Sequence, residues 1–443
     1  MRNQETRADD LNDSASSWHR RSLLGALVAA PLAAGGVLAA SSCGTTPAAG
    51  SGTAAGTTGP GTGTAGTAGA APVSSRQDRI PPDTLPGGSY DRYVAQLAAQ
   101  DKFSGVILLA HRGRTVLSRS YGMADKEKGI RNHEGVAVNI GSAIKPFTAV
   151  AILQLVQQGK VKLPDPVGTH LSGFAKEISE QVTVHHLLSQ TSGLSTPELD
   201  LRRVFQSREE VHDYYEQWTR QAKLVTAPGA GSVYTGAGIA MAAQIVEAVT
   251  GTTYWDYVHE HVFGRAGMTG SAFYTRQQWL TDEHIAHSYM LQADGSRVDA
   301  VRNLDRSTPN PAAPGRNPGR SFIGFAGDDG FATAPDLVRF AQALRDGTVL
   351  DGPFADLFIG AKVPQGKGKD GGPAPAHPSF MAYSIAAKII NGQWVIGHGG
   401  GNGGSVANWH IYPDTDWVGV ILGNYDGVPM QELVDREMQA ITG

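Results

Sequence analysis

The chain has 443 residues, 41% hydrophobic and 18% charged, enough for one large core or two modest ones, and too apolar overall for a wholly disordered protein. A formal net charge of −4 without a basic stripe argues against nucleic acid as a partner. A single cysteine, Cys43, excludes an intrachain disulfide.

In chain order, Arg20-Arg21 precede Ser22-Leu23-Leu24 and a weakly apolar run to Ala40, the pattern of a twin-arginine signal peptide. Pro31, Gly35 and Gly36 make that run a poor spanning helix, which ranks a transmembrane anchor second. Cys43 follows Leu38-Ala39-Ala40-Ser41-Ser42 as the acylated cysteine of a bacterial lipoprotein would, although Ala40 stands where a larger aliphatic residue is usual. Lipidation of Cys43 would tether the protein to a membrane face, and one acyl chain alone binds only marginally. Plain secretion with an incidental cysteine is the alternative. Residues 44–75 carry no charge and are almost all Gly, Ala, Thr, Ser and Pro, a composition that cannot bury a core. The expected organisation is a signal peptide over 1–43, a flexible linker over 44–89 and one domain over 90–443, in an exported protein.

Within that domain, alternation predicts a strand over 103–111, a turn at Arg112-Gly113-Arg114 and a return strand over 115–121. Helical spacing follows over 147–158, closed by Gly159, and again over 184–188, 208–223, 237–249, 254–263 and 335–344. Residues 291–330 are rich in Gly, Pro, Asn and Arg and read as a long loop, a length that usually means function or disorder. Strands return over 383–390 and 393–396 around Asn391-Gly392, then over 406–412 and 417–422, before a last amphipathic helix over 432–441. Strands at both ends with helices between predict an α+β fold: one antiparallel β-sheet built from both termini, flanked by helices, with an inserted all-helical region.

Ser142-Ala143-Ile144-Lys145 is the sharpest chemical feature. Three residues apart on a helix, a hydroxyl and an amine share one face. A serine hydroxyl needs a nearby base, and lysines serve as bases where burial or a neighbouring cation lowers their pKa. No other lysine in the chain has serine three residues earlier, and Ser142 sits where the positive end of the following helix points. Taken alone, the spacing fits an N-capping serine with a solvated lysine better. Tyr234, in a Gly-rich loop just before a helix, can relay a proton or be merely half-buried. Gly397-His398-Gly399-Gly400-Gly401 ends a predicted strand, where free N–H groups can complete an oxyanion hole; a flexible loop is the bland reading. His284 and His287 with Asp282 and Glu283 suggest metal only weakly, since no H-E-x-x-H occurs among 14 histidines. A G-x-S-x-G elbow is absent.

The order S-x-x-K, Tyr-x-x, His-x-Gly resembles the serine β-lactamase and penicillin-binding-protein superfamily, especially its class C-like, esterase and D-peptidase branch. Phe103-Ser104-Gly105-Val106, Tyr121-Gly122, Val184-His185-His186-Leu187-Leu188, Thr191-Ser192-Gly193-Leu194, Gly267-Met268-Thr269 and Asp336-Leu337-Val338-Arg339-Phe340 carry the likeness across roughly 90–442. The resemblance implies Ser142 as acylated nucleophile, Lys145 as proton acceptor and Tyr234 as proton shuttle. It implies His398 and Gly400 as the third motif, the N–H groups of Ser142 and Gly401 as oxyanion donors, and no metal or organic cofactor.

Two departures bear on substrate. The family's second motif usually reads Tyr-x-Asn, whose Asn holds an amide, but here Gly236 takes that place. The third motif is often Lys-Thr-Gly in true β-lactamases, whereas His398 is largely neutral near pH 7. Both point to a small-molecule ester or a D-amino-acid peptide ahead of a β-lactam. A further departure is Gln190, which stands where relatives often have His. The expected function is an esterase-like serine hydrolase. The alternatives are a cell-wall DD-peptidase or weak β-lactamase, and a non-catalytic binding protein on the same fold.

Overall fold

The computed structural model describes residues 79–311, 313–366 and 376–443. The expected signal peptide, Cys43 and the tether over 44–75 lie outside the described residues. The described part of the expected linker is ordered: Pro82–Thr84 forms a 3-10 turn and Ser89 opens the first α-helix, so the folded unit starts ahead of residue 90.

Among the described residues fourteen strands run in chain order as β1 (Gly105–His111), β2 (Arg114–Tyr121), β3 (Met123–Asp125), β4 (Ile130–Arg131), β5 (Val138–Gly141), β6 (Tyr289–Leu291), β7 (Arg297–Asp299), β8 (Gly330–Ala332), β9 (Val363–Pro364), β10 (Ser379–Met381), β11 (Ala386–Ile390), β12 (Gln393–Asn402), β13 (Ser405–Tyr412) and β14 (Trp417–Gly423). The main sheet has eight strands in the order β2-β1-β14-β13-β12-β11-β10-β9, every pair antiparallel, as the predicted fold requires. The helices are α1 (Ser89–Ala99), α2 (Lys145–Gln157), α3 (Lys176–Gln181), α4 (Val184–Leu188), α5 (Arg208–Thr219), α6 (Gly236–Thr250), α7 (Tyr254–Val258), α8 (Arg276–Thr281), α9 (Ala334–Arg345), α10 (Gly352–Ile359) and α11 (Met430–Thr442). Among the described residues, no helix is long and apolar enough to cross a membrane.

Helices cover both faces of the sheet, which is why β1 and β14 are buried along their whole length and read as continuous apolar runs. On one face Ile107, Leu109, Ile421 and Tyr412 pack with Tyr90 and Val94 of α1 and with Leu433 and Met438 of α11. On the other, Val106, Leu108, Trp409 and Val420 pack with α2, α9 and the helical region. Every residue of α2 from Lys145 to Leu155 is buried, the signature of a central helix. Phe147 of α2 stacks on Trp409 at 6.1 Å and meets Phe340 edge-on at 4.8 Å. Each such buried ring stabilises the fold by about 1.5–3 kcal/mol, so the helix carrying Lys145 is held firmly.

Two boundaries differ from the pattern. Strand β11 starts at Ala386 because Ser384 has a φ of 54° and its N–H donates to Leu188 O at 2.7 Å, outside the ladder. Strand β12 does not end at Gly397: it runs through the glycines to Asn402, in register with β13, with His398 opposite Trp409 and Gly400 opposite Ala407. Glycine weakens strand propensity, but a partner strand and close backbone approach override it here.

The long loop is ordered by side chains that satisfy its backbone. Arg320 donates to the carbonyls of Leu201 at 2.6 Å, Leu304 at 2.8 Å and Arg306 at 3.0 Å, and Asn317 Nδ2 donates to Asn303 O at 2.9 Å.

Candidate active site

Strand β5 pairs with β8 and ends at Gly141, whose φ of 49° turns the chain into a 3-10 turn, Ser142–Ile144. Lys145 then opens α2, with Pro146 in the first turn, where a missing N–H costs nothing. Against the capping serine and solvated lysine that the spacing alone fitted better, Lys145 Nζ donates to Ser142 Oγ at 2.7 Å. The same amine donates to Gly327 O, and Lys145 is only 3% exposed. Gly327 is held in place from α2, because Thr148 Oγ1 donates to the neighbouring Ala326 O at 2.8 Å. Lys145 is therefore neither solvated nor incidental. It is enclosed between a hydroxyl and a carbonyl.

Tyr234 completes this group. Lys145 Nζ lies 5.0 Å from its ring centroid, and the ring is 37% exposed at the cavity mouth. Its position is set from Gln190, a residue whose consequence was not legible in the sequence. Gln190 is 2% exposed with a φ of 59°. Its backbone carbonyl accepts from Val233 N–H at 2.8 Å and its Oε1 accepts from Thr235 N–H at 3.2 Å, bracketing Tyr234. Thr235 then caps α6 by accepting from Ala237 N–H at 3.2 Å. Gln190→Ala is expected to lower kcat about tenfold while the protein still melts cooperatively, because the segment carrying Tyr234 loses the side-chain hydrogen bond to Thr235 N–H. Ester turnover and thermal melts check this, and an unchanged kcat would show that other contacts hold the tyrosine.

Strand β12 lies directly against the Ser142 turn. A Cβ on Gly400 would sit 2.0 Å from Ile140 O and 2.8 Å from Ser142 N, so only glycine admits this approach. A Cβ on Gly141 would sit 2.8 Å from Gly401 N, which places Gly401 alongside the same turn. Gly397 is explained separately: a Cβ there would meet His410 Cδ2 at 2.5 Å. His398 shares the Gly400 face of the strand by alternation. Burial, together with the nearby Lys145 ammonium, pushes its pKa down to about 4, so the ring is neutral at pH 7. Its Nδ1 contacts Gly399 O.

Ser142, Lys145, Tyr234 and Gly236 share one cavity of about 190 Å³. His398, Gly400 and Gly401 do not line it: Gly400 and Gly401 run against the Ser142 turn, and His398 lines a separate cavity with Lys388, Asn408 and His410. The Ser142 cavity also takes Leu199, Tyr215, Trp218 and Phe325, with Arg316 and Asp328 at one side, paired at 2.8 Å. Sequence reasoning named none of these six, since they come from three separate stretches, Leu199, α5 and the 291–330 loop, that only folding brings together; only the length of that loop hinted at Arg316, Phe325 and Asp328. A Cβ on Gly236 would lie 3.4 Å from the Trp218 indole, so an aromatic wall bounds the space where the family's Asn would project. Another, apolar cavity of about 210 Å³ beside α9 and α10 shares no residue with this one. His284 and His287 do not converge: His287 is buried on Asp299 at 2.7 Å, while His284 is exposed on Asp282 at 3.1 Å.

A hydroxyl bonded to an enclosed amine, a phenol beside that amine and glycine backbone at the serine turn form a constellation for acyl transfer. The family described as Beta-lactamase matches residues 90–442. The chain is 26% identical over 245 residues to "Putative penicillin-binding protein PbpX" of Bacillus subtilis (strain 168), covering 55% of this chain and 56% of that protein. It thus spans about half the length of that curated relative, and less of the next, 37% of "Protein flp" of Staphylococcus aureus (strain MW2). Among solved structures, a penicillin binding protein from Bacillus halodurans superposes with a TM-score of 0.62 at 25% identity, over 79% of this chain and 98% of that one. A D-amino acid amidase from Ochrobactrum anthropi SV3 shares the fold, with a TM-score of 0.61 at 21% identity, over 83% of this chain and 99% of that one.

Proposed function

The chain belongs to the Beta-lactamase family, and on that premise we propose that it is an exported, esterase-like serine hydrolase that cleaves small acyl esters through an acyl-enzyme on Ser142. Ser142 Oγ attacks the ester carbonyl and its proton passes to Lys145 Nζ, its hydrogen-bond partner at 2.7 Å. The N–H groups of Ser142 and Gly401 take the developing oxyanion. Tyr234, beside Lys145, delivers a proton to the leaving alcohol and is reprotonated by the Lys145 ammonium, which returns the lysine to the free amine. Water then enters by the reverse path and releases the acid.

The observation that carries the ester reading is the wall at Gly236. No side-chain amide stands there to hold a peptide or β-lactam amide, and Trp218, Tyr215 and Phe325 give the cavity an aromatic lining that suits an apolar acyl group. One observation favours the second reading, a DD-peptidase or weak β-lactamase: the Arg316 guanidinium lines the same cavity. Export, with a tether through lipidated Cys43, is proposed from Arg20-Arg21 and the residues around Cys43.

The test is hydrolysis of p-nitrophenyl acetate and of a chromogenic cephalosporin, side by side, on the full chain in fractionated producing cells. Ester turnover at least about tenfold above cephalosporin turnover, in the membrane or extracellular fraction, is expected. Faster cephalosporin turnover would overturn the ester reading, and activity confined to the cytosol would overturn export.

A further inference from the structure

We propose that Asp329 positions the nucleophile, its carboxylate tying together the strand that leads into Ser142, the end of β12 and the turn that holds Lys145. The inference rests on Ser142 being the nucleophile and adds a residue outside the three motifs.

Three segments meet at one oxygen. Asn139 Nδ2 donates to Asp329 Oδ1 at 3.0 Å, and Asn139 Oδ1 accepts from Gly141 N–H at 2.9 Å, one residue before Ser142. Asn402 Nδ2 donates to the same Oδ1, and Asn402 Oδ1 accepts from Gly403 N–H at 2.9 Å. Asn402 lies two residues beyond Gly400, the glycine pressed against Ser142 N. Asp329 itself follows the turn in which Phe325 and Asp328 exchange backbone hydrogen bonds at 2.9 and 3.1 Å. That turn presents Gly327 O to Lys145 Nζ. Asp329 thus sits where the supports of nucleophile, base and oxyanion wall converge, although it touches none of the reacting atoms.

Its backbone agrees with such a role. Asp329 has a φ of 61°, in the left-handed region that non-glycine residues seldom occupy. Such conformations persist where surroundings over-determine them, and they gather at functional sites. Gly324 packs against it, since a Cβ there would lie 2.2 Å from Asp329 O.

The groups facing Asp329 are the Asp328 carboxylate on the same turn, the Arg316 guanidinium from the long loop and the buried Tyr215 phenol of α5. Withdrawal from water and the Asp328 charge push its pKa up to about 7, against the pull of Asn139, Arg316 and Asn402. A carboxylate accepts from two amides more strongly than the neutral acid does, so the clamp tightens as pH rises through neutrality. Stability runs the other way. A carboxyl with a raised native pKa contributes stability that is full below its ordinary value and lost as pH rises through about 7.

The experiment compares wild type, Asp329→Ala, Asp329→Asn and Ser142→Ala by kcat and KM for p-nitrophenyl acetate at pH 5–9, with a thermal melt at each pH. Asp329→Ala is expected to lose about 100-fold in kcat with KM within about threefold, as a small misplacement of the nucleophile would produce. Asp329→Asn, which keeps an acceptor for both amides, is expected to stay within about tenfold. It should also lack the rise in kcat through pH 7 and the fall in melting temperature over that range. A wild-type kcat in Asp329→Ala would overturn the assignment. If Asp329→Ala fails to fold, the Asp329→Asn profile decides, and a wild-type pH profile there overturns it. Turnover persisting in Ser142→Ala would instead mean that the serine reading has failed, a result separable from any outcome at Asp329.

Discussion

Ser142→Ala is expected to abolish ester turnover and covalent labelling by a fluorophosphonate together, with kcat down at least about 10⁴-fold. The size follows from role. No other hydroxyl is bonded to Lys145 at 2.7 Å among the described residues, so removing Oγ removes the attacking atom and not merely an orienting contact. The fold has no reason to suffer. Ser142 is half-buried in a turn set by Gly141 and by the backbone contact with Gly400, neither of which uses the hydroxyl. The melting temperature should therefore stay close to wild type. Intact-protein mass spectrometry of the labelled chain checks the site. An unchanged rate in the variant would sink the assignment of the nucleophile.

Lys145→Arg and Lys145→Met are both expected to lose about 10³-fold or more in kcat, and the pair separates two explanations of the loss. Arginine keeps the positive charge but does not give up a proton in proteins, so it cannot serve as base. Methionine keeps most of the buried volume but leaves Gly327 O without its donor. If charge alone mattered, by orienting Ser142 or steadying Tyr234, the arginine variant would keep substantial activity. Substantial turnover in Lys145→Arg, measured in the same ester assay, would therefore remove Lys145 from proton transfer and leave it a positioning role. Equal loss in both variants places the amine in the chemistry.

Much of this protein was legible as a one-dimensional pattern. The outer strands, the helical middle and the antiparallel sheet followed from periodicity, because a face buried against a neighbour writes itself into spacing. Ser142 and Lys145 were legible for the same reason: at a helix start, three residues of separation is already a three-dimensional contact, found at 2.7 Å. The glycine run of β12 was misread as a strand end, because its glycines mark where another backbone passes within contact, and the sequence does not say which one.

What the sequence by itself determined is the family and the fold class, with Ser142 and Lys145 as the candidate pair. What only the tertiary structure decided is everything assembled from distant segments. The support of Tyr234 by Gln190 spans some 45 positions, and the wall opposite Gly236 comes from Trp218 on another helix. Asp329 meets Asn139 across 190 positions and Asn402 across 73. Local periodicity is set by each element's own geometry, whereas these contacts depend on how elements pack. Packing is a collective outcome of the whole core, to which no short stretch of residues holds the key.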